Sequence, residues 1–358
     1  MGFKCGIIGL PNVGKSTLFN ILTNSKIPAK NFPFCTITPN IGLAPVFDDR
    51  LNEIANIVNP NRIVTTFMEF VDIAGLVKGA SQGCGLGNQF LNNIHRVDLL
   101  IHVVRCFNDN NIVHMHDTIN PIHDVEIINM ELILSDLQLC QVEILKLKKK
   151  NIIDHGRLKI LEKCLFCLNN NNFLNKSLFS DEEISIVRDL NFITLKPMIY
   201  IANVSDNISQ NVSLSKLLNF ISLNNSICIT VQIFKESKNT YLQLRNFDNN
   251  LHLHENKQSK INHIIQTGYK QLGLQTFFTV GKKEVRAWTI NIGANSIQAA
   301  RKIHTDFEKG FIRAKVISYM DFIQLKNNNK MRESGKIRLE GKNYIIKDGD
   351  IIQFLFKI

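Results

Sequence analysis

Residues 9–17 read Gly9-Leu-Pro-Asn-Val-Gly14-Lys15-Ser16-Thr17 and directly follow the apolar run Lys4-Cys-Gly-Ile-Ile8. They fit G-x-x-x-x-G-K-S/T, the pattern of a loop that wraps phosphate between a strand and a helix. The glycines let successive backbone N–H groups turn inward around a β-phosphate, Lys15 reaches the β- and γ-oxygens, and Ser16 offers a hydroxyl to Mg²⁺. The helix that begins near Lys15 points its positive end at the same phosphates. A glycine-rich strand-turn-helix corner can match this pattern by chance, so its meaning rests on the residues further along the chain.

A phosphate loop needs a second anchor for magnesium, an acidic residue at the end of a neighbouring buried strand. Phe67-Met-Glu-Phe-Val71 followed by Asp72 supplies it, and Asp72-Ile-Ala-Gly75 has the D-x-x-G form. In a GTPase-like site that carboxylate holds the metal through water, while the Gly75 N–H bonds the γ-phosphate and senses its presence. Between them lies Asn31-Phe-Pro-Phe-Cys-Thr36-Ile-Thr-Pro-Asn40, where Thr36 is the best candidate hydroxyl to close on the metal. The three segments come in the required order, about 20 and then about 35 residues apart.

The residue after Gly75 is Leu76, where signalling GTPases carry the glutamine that orients the attacking water. Catalysis must then draw on another side chain, a bound monovalent cation or a partner. Gly79-Ala-Ser-Gln-Gly-Cys-Gly-Leu-Gly87 reads as a loop able to change shape with nucleotide state. For base recognition the candidate is Asn203-Val-Ser-Asp206, after the strand-like run Pro197-Met-Ile-Tyr-Ile-Ala202. The guanine-specific form is N-K-x-D, in which Asp accepts from guanine N1 and N2 and the Lys stem covers the ring. Here Val204 replaces that lysine, and N-x-x-D by itself is also a common solvated turn.

The elements that must position these residues can be read around them. Met130 to Leu145 repeats apolar residues at three- and four-residue spacing and runs into Lys146-Leu-Lys-Lys-Lys150, an amphipathic helix with a basic end. A second helical pattern covers 152–169, an asparagine run breaks it, and Asp181-Glu-Glu starts another helix. The arrangement expected is a helical hairpin or short coiled coil inserted between two strands, its leucines forming an internal seam. From Thr276 the order becomes strand, strand (Glu284 to Ile290), helix (Ser296 to His304), then strands from Gly310 to Ile317 and within Tyr344 to Phe356, a β-grasp order. Its Lys282, Lys283, Arg286, Arg301, Lys302, Arg313 and Lys315 either meet phosphates or form a solvated basic face.

With these residues in view, the chain resembles the YchF family of Obg-related P-loop ATPases. The resemblance rests on Gly9 to Thr17, Asn31 to Thr36, Phe70 to Ala80, Gly85-Leu-Gly-Asn-Gln-Phe90, His102-Val-Val-Arg-Cys-Phe107, Gly335 to Gly341 and Lys347-Asp-Gly-Asp350, and so covers both ends of the chain. It implies an α/β fold: a P-loop NTPase domain with an inserted α-helical coiled-coil hairpin and a C-terminal β-grasp (ubiquitin-like) TGS domain, a module associated with RNA and ribosome binding. The corresponding boundaries are 1–128 with 197–275, 129–196, and 276–358. Asn12, Val13, Gly14, Lys15, Ser16 and Thr17 would bind the triphosphate, and Ser16 and Thr36 would ligate Mg²⁺. The Asn203 amide and the backbone near Val204 would contact the purine. Leu76 agrees with a family that has an apolar residue at the glutamine position. His114 matches a loop histidine proposed there to position water, the plainer alternative being an exposed imidazole. Two departures stand out: Asp206 occupies the place of the family's usual Glu, and the run Asn92-Asn-Ile-His-Arg-Val-Asp98 differs from the family's acidic and arginine-bearing one.

Composition agrees with this plan. A chain of 358 residues, 44% hydrophobic, is long enough for two or three cores. A formal net charge of +11 and a pI of about 9.2 favour a polyanionic partner, although the many Asn, Ile and Lys residues could also reflect an AT-rich genome. No apolar run approaches about 20 residues and no charged-then-apolar leader is present, so a soluble cytoplasmic protein is expected, without membrane or DNA partners. The eight cysteines, including Cys164-Leu-Phe-Cys167, lack zinc-site spacing and read as free thiols. The expected activity is Mg²⁺-dependent hydrolysis of ATP, with GTP also admitted, by a switch protein that works on the ribosomal large subunit or a related RNA assembly. A nucleotide-gated binding module with negligible turnover is the alternative. A metabolic kinase would need an acceptor pocket and a lid, and neither is found.

Overall fold

The computed structural model describes residues 3–23, 41–73, 91–109, 119–149, 154–205, 212–237 and 260–357. The chain divides into two compact units, Met1–Leu43 with Glu69–Leu253 and Ala44–Met68 with His254–Ile358.

The first unit is built on a six-stranded sheet of order β2-β4-β1-β5-β6-β7. Its strands are β1 (Lys4–Ile8), β2 (Ile41–Val46), β4 (Thr66–Asp72), β5 (Leu99–Arg105), β6 (Met198–Asn203) and β7 (Ile227–Val231), with the two-residue β3 (Ile63–Val64) lying in the other sheet. The pairs β1–β4, β1–β5, β5–β6 and β6–β7 are all parallel. A parallel strand covered on both faces reads as a continuous apolar run, and β5 is buried at all seven positions. Helix α1 (Lys15–Thr23) follows β1, and α2 (Asp49–Val58) belongs to the second unit.

Helix α3 (Pro121–Lys148) starts where Asn120 accepts from the His123 N–H and Pro121 takes the first turn, where its missing donor costs nothing. Its beginning covers the sheet, with Val125 packed among Val104, Tyr200 and Ala202. Its later turns leave the sheet and pair with α4 (His155–Asn169) and α5 (Asp181–Leu190), burying Ile133, Cys140 and Leu147 against Leu161, Cys164, Leu168 and Val187. The helical segment expected to begin at residue 129 is therefore the outer part of one continuous helix that starts at 121. Helix α5 opens with the reciprocal Ser180–Glu183 capping box, as the acidic start at Asp181 indicates. Helix α6 (Val212–Leu223) completes the cover of this sheet.

In the second unit, α7 (Lys260–Gln271) leads into the hairpin of β8 (Leu274–Val280) and β9 (Val285–Asn291). Then come α8 (Ser296–Ile303), α9 (Thr305–Lys309), β10 (Phe311–Ile317), α10 (Tyr319–Leu325), α11 (Asn328–Glu333), β11 (Arg338–Glu340) and β12 (Ile351–Phe356). The sheet order is β11-β10-β12-β8-β9-β3, with β12 parallel to β8 at the centre and antiparallel to β10, the β-grasp arrangement read from the strand order. Phe277, Phe354 and Val316 face α8 on one side, while Phe278, Val285 and Ile351 face Leu51 and Ile54 of α2 on the other. Residues 44–68 were expected within the nucleotide domain. They cluster instead with the C-terminal unit, because β3 pairs parallel with β9 and α2 seals the second face of that sheet. Among the described residues no helix is long and apolar enough to cross a membrane.

Candidate functional site

All strands flanking β1 run parallel to it, so their carboxyl ends line one edge of the sheet. That is where an open α/β sheet binds its ligand. The register Ile7↔Asp72 and Arg105↔Asn203 brings Asp72 and Asn203 to this edge beside the loop that leaves β1.

The loop 9–14 is held in backbone conformations that its residue types permit. Asn12 and Gly14 lie at φ 61° and 104°, positive values that turn consecutive N–H groups toward a common centre. Gly9 has φ 148°, and a Cβ there would collide with the Val103 carbonyl; one on Gly14 would sit 2.9 Å from the Asn203 amide nitrogen. Both glycines are thus required by close approach as well as by backbone angle. Leu18 N–H donates to Gly14 O at 2.9 Å, so α1 begins directly from the loop. Ser16 and Thr17 are exposed in its first turn.

Lys15 is only 8% exposed, and its Nζ donates to Leu10 O across the loop at 2.7 Å. Burial lowers its pKa, and the Asp72 carboxylate opposes that shift. Asp72 Oδ1 is buried with no hydrogen-bond partner among the described residues. A buried carboxylate oxygen left unpaired is costly unless a ligand satisfies it. With the Ser16 hydroxyl of the first turn of α1, the candidate donors are all oxygen, which fits a hard divalent cation.

Asn203 is 6% exposed and anchors the loop: its Nδ2 donates to Val13 O at 3.0 Å and its Oδ1 accepts from Ile233 N–H at 3.2 Å. The Asn203 carbonyl accepts from Cys106 N–H at 2.8 Å. One hydrogen on Nδ2 is left over from these bonds for a base. Val204 is 4% exposed, packs with Leu214 and Leu217, and donates its N–H to Val231 O at 3.0 Å. Its side chain is core, so it cannot cover a purine ring as a lysine stem would. Asn12, Val13, Gly14, Lys15, Ser16, Thr17, Asp72, Asn203 and Val204 thus gather at one edge. Thr36, Gly75, Leu76, His114 and Asp206 lie outside the described residues.

Sequence reading missed His102. It sits in the middle of β5 opposite Ile8, is 1% exposed, and stacks obliquely on Tyr200 with centroids 5.3 Å apart. Burial, with the Lys15 charge adding to it, pushes its pKa down to about 3, so it is neutral beneath the phosphate loop. The signal available was a lone imidazole inside an otherwise apolar strand. Cys164, part of the C-x-x-C, hydrogen-bonds with Cys140 across the α3–α4 seam, and all six described cysteines are free thiols.

Comparison with known proteins places this geometry. A family model described as a 50S ribosome-binding GTPase matches residues 4–136, and a model of the YchF GTPase C-terminal domain, described as a protein of unknown function, matches residues 274–357. The ribosome-binding ATPase YchF of Buchnera aphidicola subsp. Acyrthosiphon pisum is 50% identical over 371 residues, covering 100% of both chains. That of Escherichia coli O157:H7 is 50% identical over 363 residues with the same coverage. The solved structure of the Schizosaccharomyces pombe YchF GTPase superposes with a TM-score of 0.86 at 35% identity, covering 99% of this chain and 98% of that one.

Proposed function

We propose, from a chain that belongs to the YchF family and carries this phosphate loop, that the protein is a ribosome-associated ATPase of the cytoplasm that works as a nucleotide-dependent switch. The observation that carries the chemistry is the buried Asp72 Oδ1, without a hydrogen-bond partner among the described residues, near Lys15: a carboxylate at the end of β4 and an amine at the start of α1.

In this reading the N–H groups of residues 12–17 cradle the α- and β-phosphates of ATP at the start of α1. Lys15 exchanges its bond to the Leu10 carbonyl for β- and γ-oxygens. Ser16, Thr36 and Asp72 would hold Mg²⁺, which would neutralise negative charge developing on the phosphoryl group. Water attacks the γ-phosphorus in line as the bond to the bridging oxygen breaks, giving ADP and phosphate. With Leu76 in the glutamine position, His114 orients that water. The Gly75 N–H reads the γ-phosphate, and release of that bond alters the loop 79–87.

Asn203 and the backbone at Val204 contact the purine, with Asp206 at its edge. Asp206 suits guanine N1 and N2, whereas the core-packed Val204 gives no ring cover, which leaves a mixed base site; membership of the family favours ATP, with GTP bound within about tenfold. Changing Lys15 to Ala should reduce hydrolysis at least about a hundredfold in protein that remains folded by circular dichroism. Turnover near the wild-type rate would place the active site elsewhere. Titration of both nucleotides on the parent protein checks the base: GTP bound a hundredfold tighter than ATP would make it a GTPase. A near-zero rate, unstimulated by ribosomes, would favour the non-enzymatic binding module that the missing glutamine allows.

A further inference from the structure

The segment 191–196 joins two parts of the first unit through a set of bonds that nucleotide binding does not require. On one side, Asp136 of α3 is fully buried and accepts from Ile193 N–H at 3.0 Å, Thr194 N–H at 2.8 Å and Thr194 Oγ1 at 2.7 Å. On the other side, Lys196 Nζ donates to Ile94 O at 3.0 Å, His95 O at 2.7 Å and Val97 O at 2.6 Å. Asn191 adds a bond from Nδ2 to His95 O at 2.8 Å. The three donors of one ammonium are thereby used up on carbonyls at the end of the helical stretch 91–95 and just beyond it, where the helix dipole is negative.

A helix end is ordinarily closed by a glycine or asparagine in the left-handed conformation. Here a half-buried lysine is used, with the Asp136 and Asp98 carboxylates as its counter-charges, and burial pulls the ammonium down to about 8. Asp98 is tied in turn to β1, accepting from Lys4 N–H at 2.9 Å and donating its own N–H to Lys4 O at 2.8 Å. Asp136 is buried, Lys196 half-buried and Asp98 exposed, so the charges are partly screened and the directional bonds to the 94–97 carbonyls and to 193–194 are what fix the geometry. The stretch it grips is the run 92–98 whose role the sequence left open, and in the chain it comes directly after the segment bearing Gly75 and the glycine-rich 79–87.

We propose that Lys196 is a positioning residue that couples the helical stretch 91–95 to α3, so that a change in nucleotide state is felt in the α3–α5 bundle and a partner seated on that bundle acts back on nucleotide affinity. The bracket 191–196 has one rigid attachment at each end, so displacement of 91–95 must either move α3 with it or break several bonds at once. Coupling of this kind is reciprocal. The proposal rests on the reading of residues 9–17 as a nucleotide site.

The test is hydrogen exchange on the full-length protein with ADP and with a non-hydrolysable ATP analogue. The parent should show nucleotide-dependent changes in protection at 9–17, at 91–95 and in α3–α5. Lys196→Met should keep the changes at 9–17 and 91–95, while the change in α3–α5 falls about fivefold or more, and Lys196→Arg, which retains donors for the carbonyls, should restore it. Should Lys196→Met fail to fold, Asn191→Gly, which tolerates the left-handed backbone there (φ 50°), removes the amide bond to His95 O and should weaken the same transfer while sparing the loop. Undiminished transfer in these variants, or a parent in which 91–95 responds and α3–α5 does not, would overturn the coupling. Absence of any response at 9–17 would instead refute the nucleotide site, and the coupling with it.

Discussion

At the scale of single residues the site divides into groups placed by local chain geometry and groups placed by distant contacts. Lys15, Ser16 and Thr17 follow from a nine-residue string, because a glycine-rich turn running into a helix positions them without help from the rest of the chain. Val13 and Asn203 are different: the bond between them joins residues 190 apart, and nothing in the pattern N-x-x-D says that its amide holds the phosphate loop. The lost lysine at Val204 was legible as a substitution, but its consequence, a side chain turned into the core, needed the packing around Leu214 and Leu217. For the chemical step, the missing glutamine at 76 leaves His114 as the proposed water-orienting group. Replacing His114 by Ala should lower kcat about tenfold or more with little change in nucleotide affinity. A single-turnover rate equal to that of the parent would return it to an ordinary loop imidazole.

At the scale of elements, β5 shows how a buried strand carries a functional constraint. Its apolar run predicts full burial, and all seven residues are buried, including an imidazole whose Nδ1 has no partner among the described residues. Charging that ring would place a second cation beneath Lys15. The folded pKa is about 3 against an ordinary 6.5, so between these values the unfolded chain holds the extra proton. The stabilisation is therefore complete above pH 6.5 and is lost as pH falls toward 3, at up to about 1.4 kcal/mol per pH unit. Asp136 acts in the opposite sense, since burial raises it to about 6 and its folded form holds the extra proton below that. The contribution of His102 is isolated by comparison with His102→Gln: urea midpoints between about pH 6.5 and about pH 4.5 should fall less steeply in the variant, and parallel slopes would contradict a neutral His102. Helix α3 was legible in part for a related reason. The periodicity after Met130 marks its outer turns, packed on α4, α5 and the segments that follow each of them, whereas the turns from Pro121 lie on the sheet and share its apolar pattern.

At the scale of the whole molecule, the charge of +11 is spread over two units of different construction, and the order of strands after residue 276 sufficed to read the second as a β-grasp sheet. What the linear order hid was the share taken by residues 44–68, because a two-residue strand and one helix join that sheet from far earlier in the chain. The structure also sorts the basic residues of this unit. Arg286 stacks on Trp288 at 4.0 Å and lies near Glu284, and Arg301 pairs with Glu308 at 3.6 Å, so both are engaged within the unit. Arg313 is exposed and Lys315 partly so on β10, with neither in an ion pair among the described residues, and exposed Ile312 and Leu339 lie close by on the same strand and its neighbour. Phosphates contacted by such residues release counterions, so affinity for an RNA surface should fall with salt by an amount set by the number of contacts. If this strand meets ribosomal RNA, Arg313→Glu with Lys315→Glu should weaken binding to ribosomes and reduce the slope of log affinity against log salt by about one to two. Ribosome-free ATP turnover should stay at the parent level, because neither residue touches the phosphate loop. Binding curves at several salt concentrations decide it: an unchanged slope would show that β10 faces solvent in the complex and that the polyanion is held by other parts of the chain.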